Sequence, residues 1–146
     1  MRKFEEFLSQ GTVKKQTPNK ERAKSLIHEV EKKKKFLNTA LENIPSEQMS
    51  PNFIVDSCYD IIIELLRAKL FNDGFNPGNS HEAEMAYAIV MGFSEADVLF
   101  MDELRYYRNG IKYYGRILDK EYSEKVLKFM NKVYPKLKQM LDIDKK

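Results

Sequence analysis

Leu104-Arg105-Tyr106-Tyr107-Arg108-Asn109-Gly110-Ile111-Lys112-Tyr113-Tyr114-Gly115-Arg116 is the stretch of this chain richest in groups that hold phosphate and stack on rings. On a helix, Arg105, Arg108, Lys112 and Arg116 follow at steps of three, four and four, so the four cations share one face. Asn109 and Tyr113 lie four apart on the neighbouring stripe, close to Tyr106. Arginine suits bidentate phosphate contact, and tyrosine offers a ring face for a base. Asp102 and Glu103 are the only acids between residues 98 and 118, so the cations outnumber their local partners. The same residues also fit a plain solvated face braced by i,i+4 pairs, with Asp102 on Arg105.

Other chemistry is sparse. His28 and His81 are the two histidines, and neither has a Cys or His at zinc-ligand spacing, so no metal site is expected. His81 falls at a helix start and reads as a solvated loop-edge residue. The alternative is that it folds back onto the basic face. His28 reads as exposed on a lysine-rich helix. Cys58 sits in the most apolar segment and reads as a small hydrophobe rather than a nucleophile. No phosphate-binding glycine loop, dinucleotide fingerprint or nucleophile elbow occurs, and no cofactor is expected. Glu82, Glu84, Asp97, Asp102 and Glu103 stand at helix starts, where dipole complementation accounts for them without catalysis.

These residues have to be positioned by helices. The chain has 146 residues, enough for one domain with a core, taken here as residues 1–146. With 6 Gly and 5 Pro among abundant Lys, Glu, Leu, Ala and Met, the composition favours helix over strand. The net charge of +3 does not by itself mark a nucleic-acid binder. Residues 14–35 carry nine Lys/Arg and three Glu, a local +6, which leaves the rest at −3. Lys14, Lys15 and Lys32–Lys35 read first as a solubility face and second as a nonspecific electrostatic aid. One cysteine fits a reducing cytosol. The start Met1-Arg2-Lys3-Phe4-Glu5-Glu6 lacks the apolar stretch of a secretory signal, and no apolar run approaches the ~20 residues of a membrane span. The expected location is cytoplasmic, with no membrane partner.

Residues 2–10 form a short expected helix, with Gly11 as its stop. Thr17-Pro18 reads as a helix start, Thr as N-cap and Pro in the first position. Ala23, Leu26, Ile27, Val30, Leu37, Leu41 and Ile44 then recur at helical spacing until Pro45. Ser50-Pro51 opens a helix over about 51–72 that is apolar nearly all round, placing it at the centre or against a second subunit. A strand at Ile61–Ile63 is disfavoured by the length of that run. Residues 72–79 read as loop. Asn79 or Ser80 caps the next helix, and Ser94-Glu95-Ala96-Asp97 resembles a capping box before Val98, Met101 and Leu104. Gly115 ends that helix. A last one, from Asp119, buries Tyr122, Val126, Met130, Val133, Leu137 and Leu141, with a kink at Pro135 and a frayed tail over 142–146. The fold class is all-α: an up-and-down bundle of about five helices, core about 18–140, with a short helix ahead of it.

Several of these features together resemble a family. Arg108-Asn109-x-x-x-Tyr113 follows a helix and precedes a last amphipathic one. Upstream stand the apolar helix Ser57-Cys58-Tyr59-Asp60-Ile61-Ile62-Ile63-Glu64-Leu65-Leu66, a Gly/Asn loop and Ser80-His81-Glu82-Ala83. This order is similar to the HEPN domain (higher eukaryotes and prokaryotes nucleotide-binding), over roughly residues 18–140. The resemblance implies an all-α homodimer. Many members are metal-independent ribonucleases, often the toxin paired with a minimal nucleotidyltransferase antitoxin. Their motif is Arg, a polar residue, three to five more, then His, and two copies meet across the dimer. By position Arg108 matches the arginine, Asn109 the polar residue and Tyr113 the histidine, which makes them the expected catalytic set. Arg105, Arg108, Lys112, Arg116, Tyr106 and Tyr114 are the expected RNA or nucleotide contacts. A phenol is a poor base at neutral pH, so the substitution at Tyr113 implies lost or weak nuclease activity unless Lys112 or Tyr114 substitutes. The tyrosine that antitoxins modify in some members, two residues after the histidine, is here Gly115.

Three functions follow. The first is a homodimeric HEPN-like protein that binds RNA or nucleotides, as part of a toxin–antitoxin system. The second is an active metal-independent endoribonuclease toxin. The third is a non-catalytic interaction module whose apolar helix at 51–72 docks on a partner.

Overall fold

Each of the five main helices opens on a side-chain cap. Asn19, Ser50, Ser80, Ser94 and Asp119 accept a hydrogen bond from the backbone N–H three residues on, at 2.8–3.3 Å. Each cap satisfies one donor that a first helical turn leaves unpaired. The computed structural model describes residues 1–141. The caps launch α2 (Lys20–Asn43), α3 (Pro51–Asp73), α4 (His81–Val90), α5 (Glu95–Tyr114) and α6 (Lys120–Met140). A short α1 (Phe4–Ser9) precedes them, and a 3₁₀ turn at Ser46–Gln48 joins α2 to α3. This is the expected all-α helical bundle.

α3 is the central element, in contact with α2, α4, α5 and α6. Its residues Val55, Cys58, Ile61, Leu65 and Leu66 are fully buried, beside Val30 and Leu37 of α2, Met101 and Leu104 of α5 and Met130 and Val133 of α6. Ile61–Ile63 is helical, and most of the apolar surface of α3 is buried within the chain, with Phe53 near its start left 40% exposed beside Phe36 of α2. Cys58 is buried as expected, and burial pushes its thiol up to about 12, far from a thiolate at neutral pH.

Two starts differ from the sequence expectation. Thr17-Pro18 does not begin α2; Asn19 caps it instead. The chain ahead is held extended, because the Gln16 N–H donates to the Gly74 carbonyl (2.9 Å) and the Asn19 N–H to that of Phe71 (2.8 Å). The expected loop at 72–79 likewise contributes β2 (Phe75–Asn76), antiparallel to β1 (Lys14–Lys15) with Lys14 opposite Asn76. Phe4, Phe7 and Val13 pack there against Leu70, Ala83 and Tyr87, a small second core that pins the N-terminal segment. The Ser94 box is half made. The Ser94 hydroxyl takes the Asp97 N–H, but the Asp97 carboxylate accepts from Lys132 of α6 at 2.9 Å. α6 continues through Pro135 as one helix, with Tyr122 only partly buried. The expected fraying at 142–146 lies outside the described residues.

Gly74 turns the chain out of α3 at φ +92°, and a Cβ there would sit 2.9 Å from the Gln16 carbonyl oxygen. Gly74→Ala is expected to cost about 2–4 kcal/mol, the left-handed strain adding to a clash that only backbone movement relieves. A urea melt checks it, and a midpoint unchanged from the parent would refute the strain argument.

Tyr59, Tyr87 and Tyr122 resist ionisation. Burial raises all three phenols. The nearby Glu84 carboxylate adds to the effect at Tyr59, and hydrogen bonds to Asp73 and Glu103 add at Tyr87 and Tyr122. A raised acid pKa favours the fold below the ordinary phenol value of ~10 and loses that contribution as pH climbs through the folded value. In an alkaline titration the tyrosinate absorbance of these rings should therefore appear together with loss of helical circular dichroism. Full ionisation of all 8 tyrosines in a chain that is still helical would contradict this.

Candidate functional site

α5 divides along its length. Val98, Met101 and Leu104 anchor its first half in the core, Tyr107 and Ile111 pack on the core edge, and at its end only Lys112–Tyr114 are exposed. Gly115, at φ +65°, stops it as expected. The chain then folds back: the Arg116 N–H donates to the Gly110 carbonyl at 3.1 Å, and the Arg116 guanidinium lies 5.5 Å and 5.3 Å over the Tyr106 and Tyr107 rings. Asn52 of α3 clamps this connector, donating to the Arg116 carbonyl (2.9 Å) and accepting from the Leu118 N–H (2.8 Å). Gly110 is buried beneath the returning arginine, since a Cβ there would meet Arg116 Nε at 3.1 Å.

The expected single face of four cations is thus resolved into four environments. Arg105 pairs with Asp102 at 2.9 Å, the i,i+3 pair anticipated. Arg108 turns away from solvent onto α3, with its side chain 14% exposed, Nε 3.2 Å from Asp56 and Nη2 3.6 Å from Asp60. Lys112 is exposed and has no ion-pair partner among the described residues. Arg116 lies beyond the helix, on the tyrosines. The inference that these cations lack partners is corrected for Arg108: its acids come from α3, out of reach of a count along the local sequence. Asn109 is half-buried beside it. Tyr106, Tyr113 and Tyr114 are 62%, 67% and 84% exposed, so three rings stand in solvent on one end of α5. Glu103 is occupied by the Tyr122 hydroxyl at 2.8 Å.

A sequence signal for Asp56 and Asp60 was present. With Glu64 they recur every four residues, the one acidic stripe on the otherwise apolar α3. Burial, then the neighbouring Asp56, raise the Asp60 carboxyl, and Arg108 opposes them. Lys33 of the lysine run reaches Glu64 on the same stripe, and Lys34 lies 5.3 Å over Tyr134, so part of that run braces the bundle. His28 is exposed as expected.

His81 and Glu84 depart most from expectation. His81 is not a solvated edge residue: its Nδ1 lies 2.7 Å from Glu84 Oε1. Glu84 does more than complement a dipole, being fully buried and accepting from Arg67 of α3 at 2.7 Å through Oε2. The His81 ring meets Tyr59 edge-on at 6.0 Å, and the Arg108 guanidinium lies 5.4 Å from the same Tyr59 ring, in cation–π range. The Tyr59 hydroxyl is buried and has no hydrogen-bond partner among the described residues. Glu82, by contrast, pairs with Arg2, which lowers its carboxyl. Residues of α3, α4 and α5 therefore converge around one tyrosine.

Asn52→Ala should release the 115–118 connector and unstack Arg116. Two hydrogen bonds at about 0.5–1.5 kcal/mol each place the expected stability loss near 1–3 kcal/mol. Proteolysis within 115–118 should speed up by a larger factor than global unfolding does, and equal acceleration of both would count against the clamp.

The architecture so built is an all-α protein, with six α-helices among the described residues and an arginine–tyrosine face on the fifth. No family model, curated protein or solved structure matches the chain. No helix among the described residues is long and apolar enough to cross a membrane.

Proposed function

We propose that this chain is a cytoplasmic HEPN-like protein that binds RNA or nucleotides as a homodimer. A minimal nucleotidyltransferase antitoxin is the partner expected if it belongs to a toxin–antitoxin pair. The observation that carries the reading is the C-terminal half of α5, where Tyr106, Tyr113 and Tyr114 are exposed, Lys112 has no ion-pair partner among the described residues, and Arg116 lies over the Tyr106 ring. A solvated phenol ring gains little from its position unless something stacks on it, and a base stacked on an aromatic side chain contributes about 1–3 kcal/mol. Tyr113 itself forms no hydrogen bond among the described residues, so it suits stacking better than proton transfer.

The test is fluorescence anisotropy with a labelled single-stranded RNA across a salt series. Affinity should fall as salt rises. Tyr113→Ala and Tyr114→Ala should each weaken binding about 5- to 150-fold, and Lys112→Ala should lower the salt slope by about one. Absence of binding at low ionic strength would remove the reading. Light scattering tests the dimer, and a monomer at every concentration would remove that part.

One observation favours a second reading. Ile89, Val90 and Leu99 leave an exposed apolar strip on α4 and α5, and Arg108 is largely neutralised within the chain. A protein-interaction module would use that strip, and it predicts that RNA affinity is insensitive to the tyrosines.

A further inference from the structure

We propose that a second copy of this chain docks in the groove between the N-terminal segment, α4 and α5, so that two grooves meet about a twofold axis. The proposal rests on the homodimer part of the functional reading and gives that dimer a place. The groove measures about 390 Å³, and Met1, Phe4, Ile89, Val90, Val98 and Leu99 form its apolar walls. Met1, Ile89, Val90 and Leu99 are 52%, 48%, 60% and 55% exposed. Four large apolar side chains left half in water on one patch mark a contact surface, whereas single exposed ones are ordinary. The walls are fixed in advance. Arg2 pairs with Glu82 at 3.2 Å and lies 4.4 Å over the Phe7 ring, and Phe4 packs on Phe75 and Tyr87. Such a surface loses little freedom when a partner binds.

The charges on the rim identify the occupant. Lys3, Glu5 and Glu95 line the same groove, and none of them has an ion-pair partner among the described residues. A wholly basic partner would set a like charge against Lys3, and a wholly acidic one would do so against Glu5 and Glu95. An anionic lipid surface would meet the same two carboxylates. A second copy brings both signs. A twofold contact places the same patch on both sides, so Lys3 of each copy faces an acid of the other. Ile89 and Val90, on the last turn of α4, supply the projecting side chains, and the recess beside them receives those of the other copy.

The contact leaves the tyrosine end of α5 open. Tyr106 stands seven residues beyond Leu99, about 10 Å along the helix, and no residue beyond Leu99 lines the groove. Arg108 faces Asp56 and Asp60 of its own chain and takes no part. This differs from the arrangement that the HEPN resemblance implies, in which two motifs meet across the dimer. Each copy here keeps its own Lys112, Tyr113 and Tyr114 in solvent, so one dimer presents two separate α5 ends.

The experiment measures the mass of the full chain by light scattering over a concentration series, for the parent and three variants. Leu99→Glu puts a carboxylate into both halves of the contact and is expected to raise the dimer dissociation constant at least about 100-fold. Lys3→Glu makes the rim wholly acidic, and the double variant Glu5→Lys, Glu95→Lys makes it wholly basic. Each of these two should be monomeric at concentrations where the parent is a dimer, and an equimolar mixture of them should regain dimer mass. Lys3, Glu5, Glu95 and Leu99 are all exposed, so the fold tolerates the changes, and recovery on mixing separates a lost contact from a damaged chain. A dimer in every variant would overturn the proposal and leave the homodimer standing on another surface, such as the tyrosine end of α5. A mixture that stays monomeric would overturn it as well. A parent that is monomeric at every concentration would overturn the proposal and the homodimer together, and would give the groove to a partner of another sequence.

Discussion

Glu84→Ala is expected to lower folding stability by about 3–5 kcal/mol, the cost of breaking a buried ion pair from one side. Glu84 is fully buried, and its two oxygens hold Arg67 and His81 at 2.7 Å each. Removing it leaves a guanidinium and an imidazole facing a void. The Arg67 side chain is 22% exposed, so water can reach part of the orphaned charge and draws the value toward the lower end of that range. Glu84→Gln retains volume and one acceptor, and the expected loss is about 1–3 kcal/mol. Chemical denaturation of the two variants separates charge from shape. An alanine variant within about 1 kcal/mol of the parent would show that this buried network contributes little to folding.

Arg108→Ala should be felt twice. Arg108 offsets Asp56 and Asp60 on α3, and Asp60 is already raised by burial and by Asp56. Without the guanidinium the two carboxylates repel, and the expected loss is about 1–3 kcal/mol at neutral pH. The sign of its pH dependence is fixed by the raised carboxyl. Its contribution is fully present below the unfolded carboxyl pKa and is lost as pH rises through the higher folded value. The deficit of Arg108→Ala should therefore shrink in mild acid, as Asp60 takes up a proton. RNA affinity should fall at least about tenfold, equivalent to ~1.4 kcal/mol. Arg108→Lys should not restore it, because an ammonium lacks the fork that spans both acids and leaves a face for phosphate. Lost stability with unchanged RNA affinity would make Arg108 a brace alone and would favour the interaction-module reading.

Part of the site was legible before any coordinates. The Asp102–Arg105 pair, the stop at Gly115 and the exposure of Tyr106, Tyr113 and Tyr114 all belong to one helix and obey its periodicity. The environment of Arg108 was misjudged, since Asp56 and Asp60 lie 52 and 48 positions away. His81 was placed at a helix start, as found, yet its solvated character was inferred from that start alone. Nothing local announces that Arg67 and Tyr59 arrive beside it. The Thr17-Pro18 start failed for the same reason: a local signal was overruled by hydrogen bonds to the end of α3.

What the order of amino acids determined was helicity, the serine and aspartate caps, and the apolar stripes that make α3 the centre. Those depend on propensity and spacing within a few residues, where physics is short-ranged. Tertiary structure alone decided which acids neutralise Arg108, that Arg116 doubles back over two tyrosines, and that His81, Glu84 and Tyr59 share a junction. Such encounters depend on how rigid helices pack, and helix packing is set by the whole core at once.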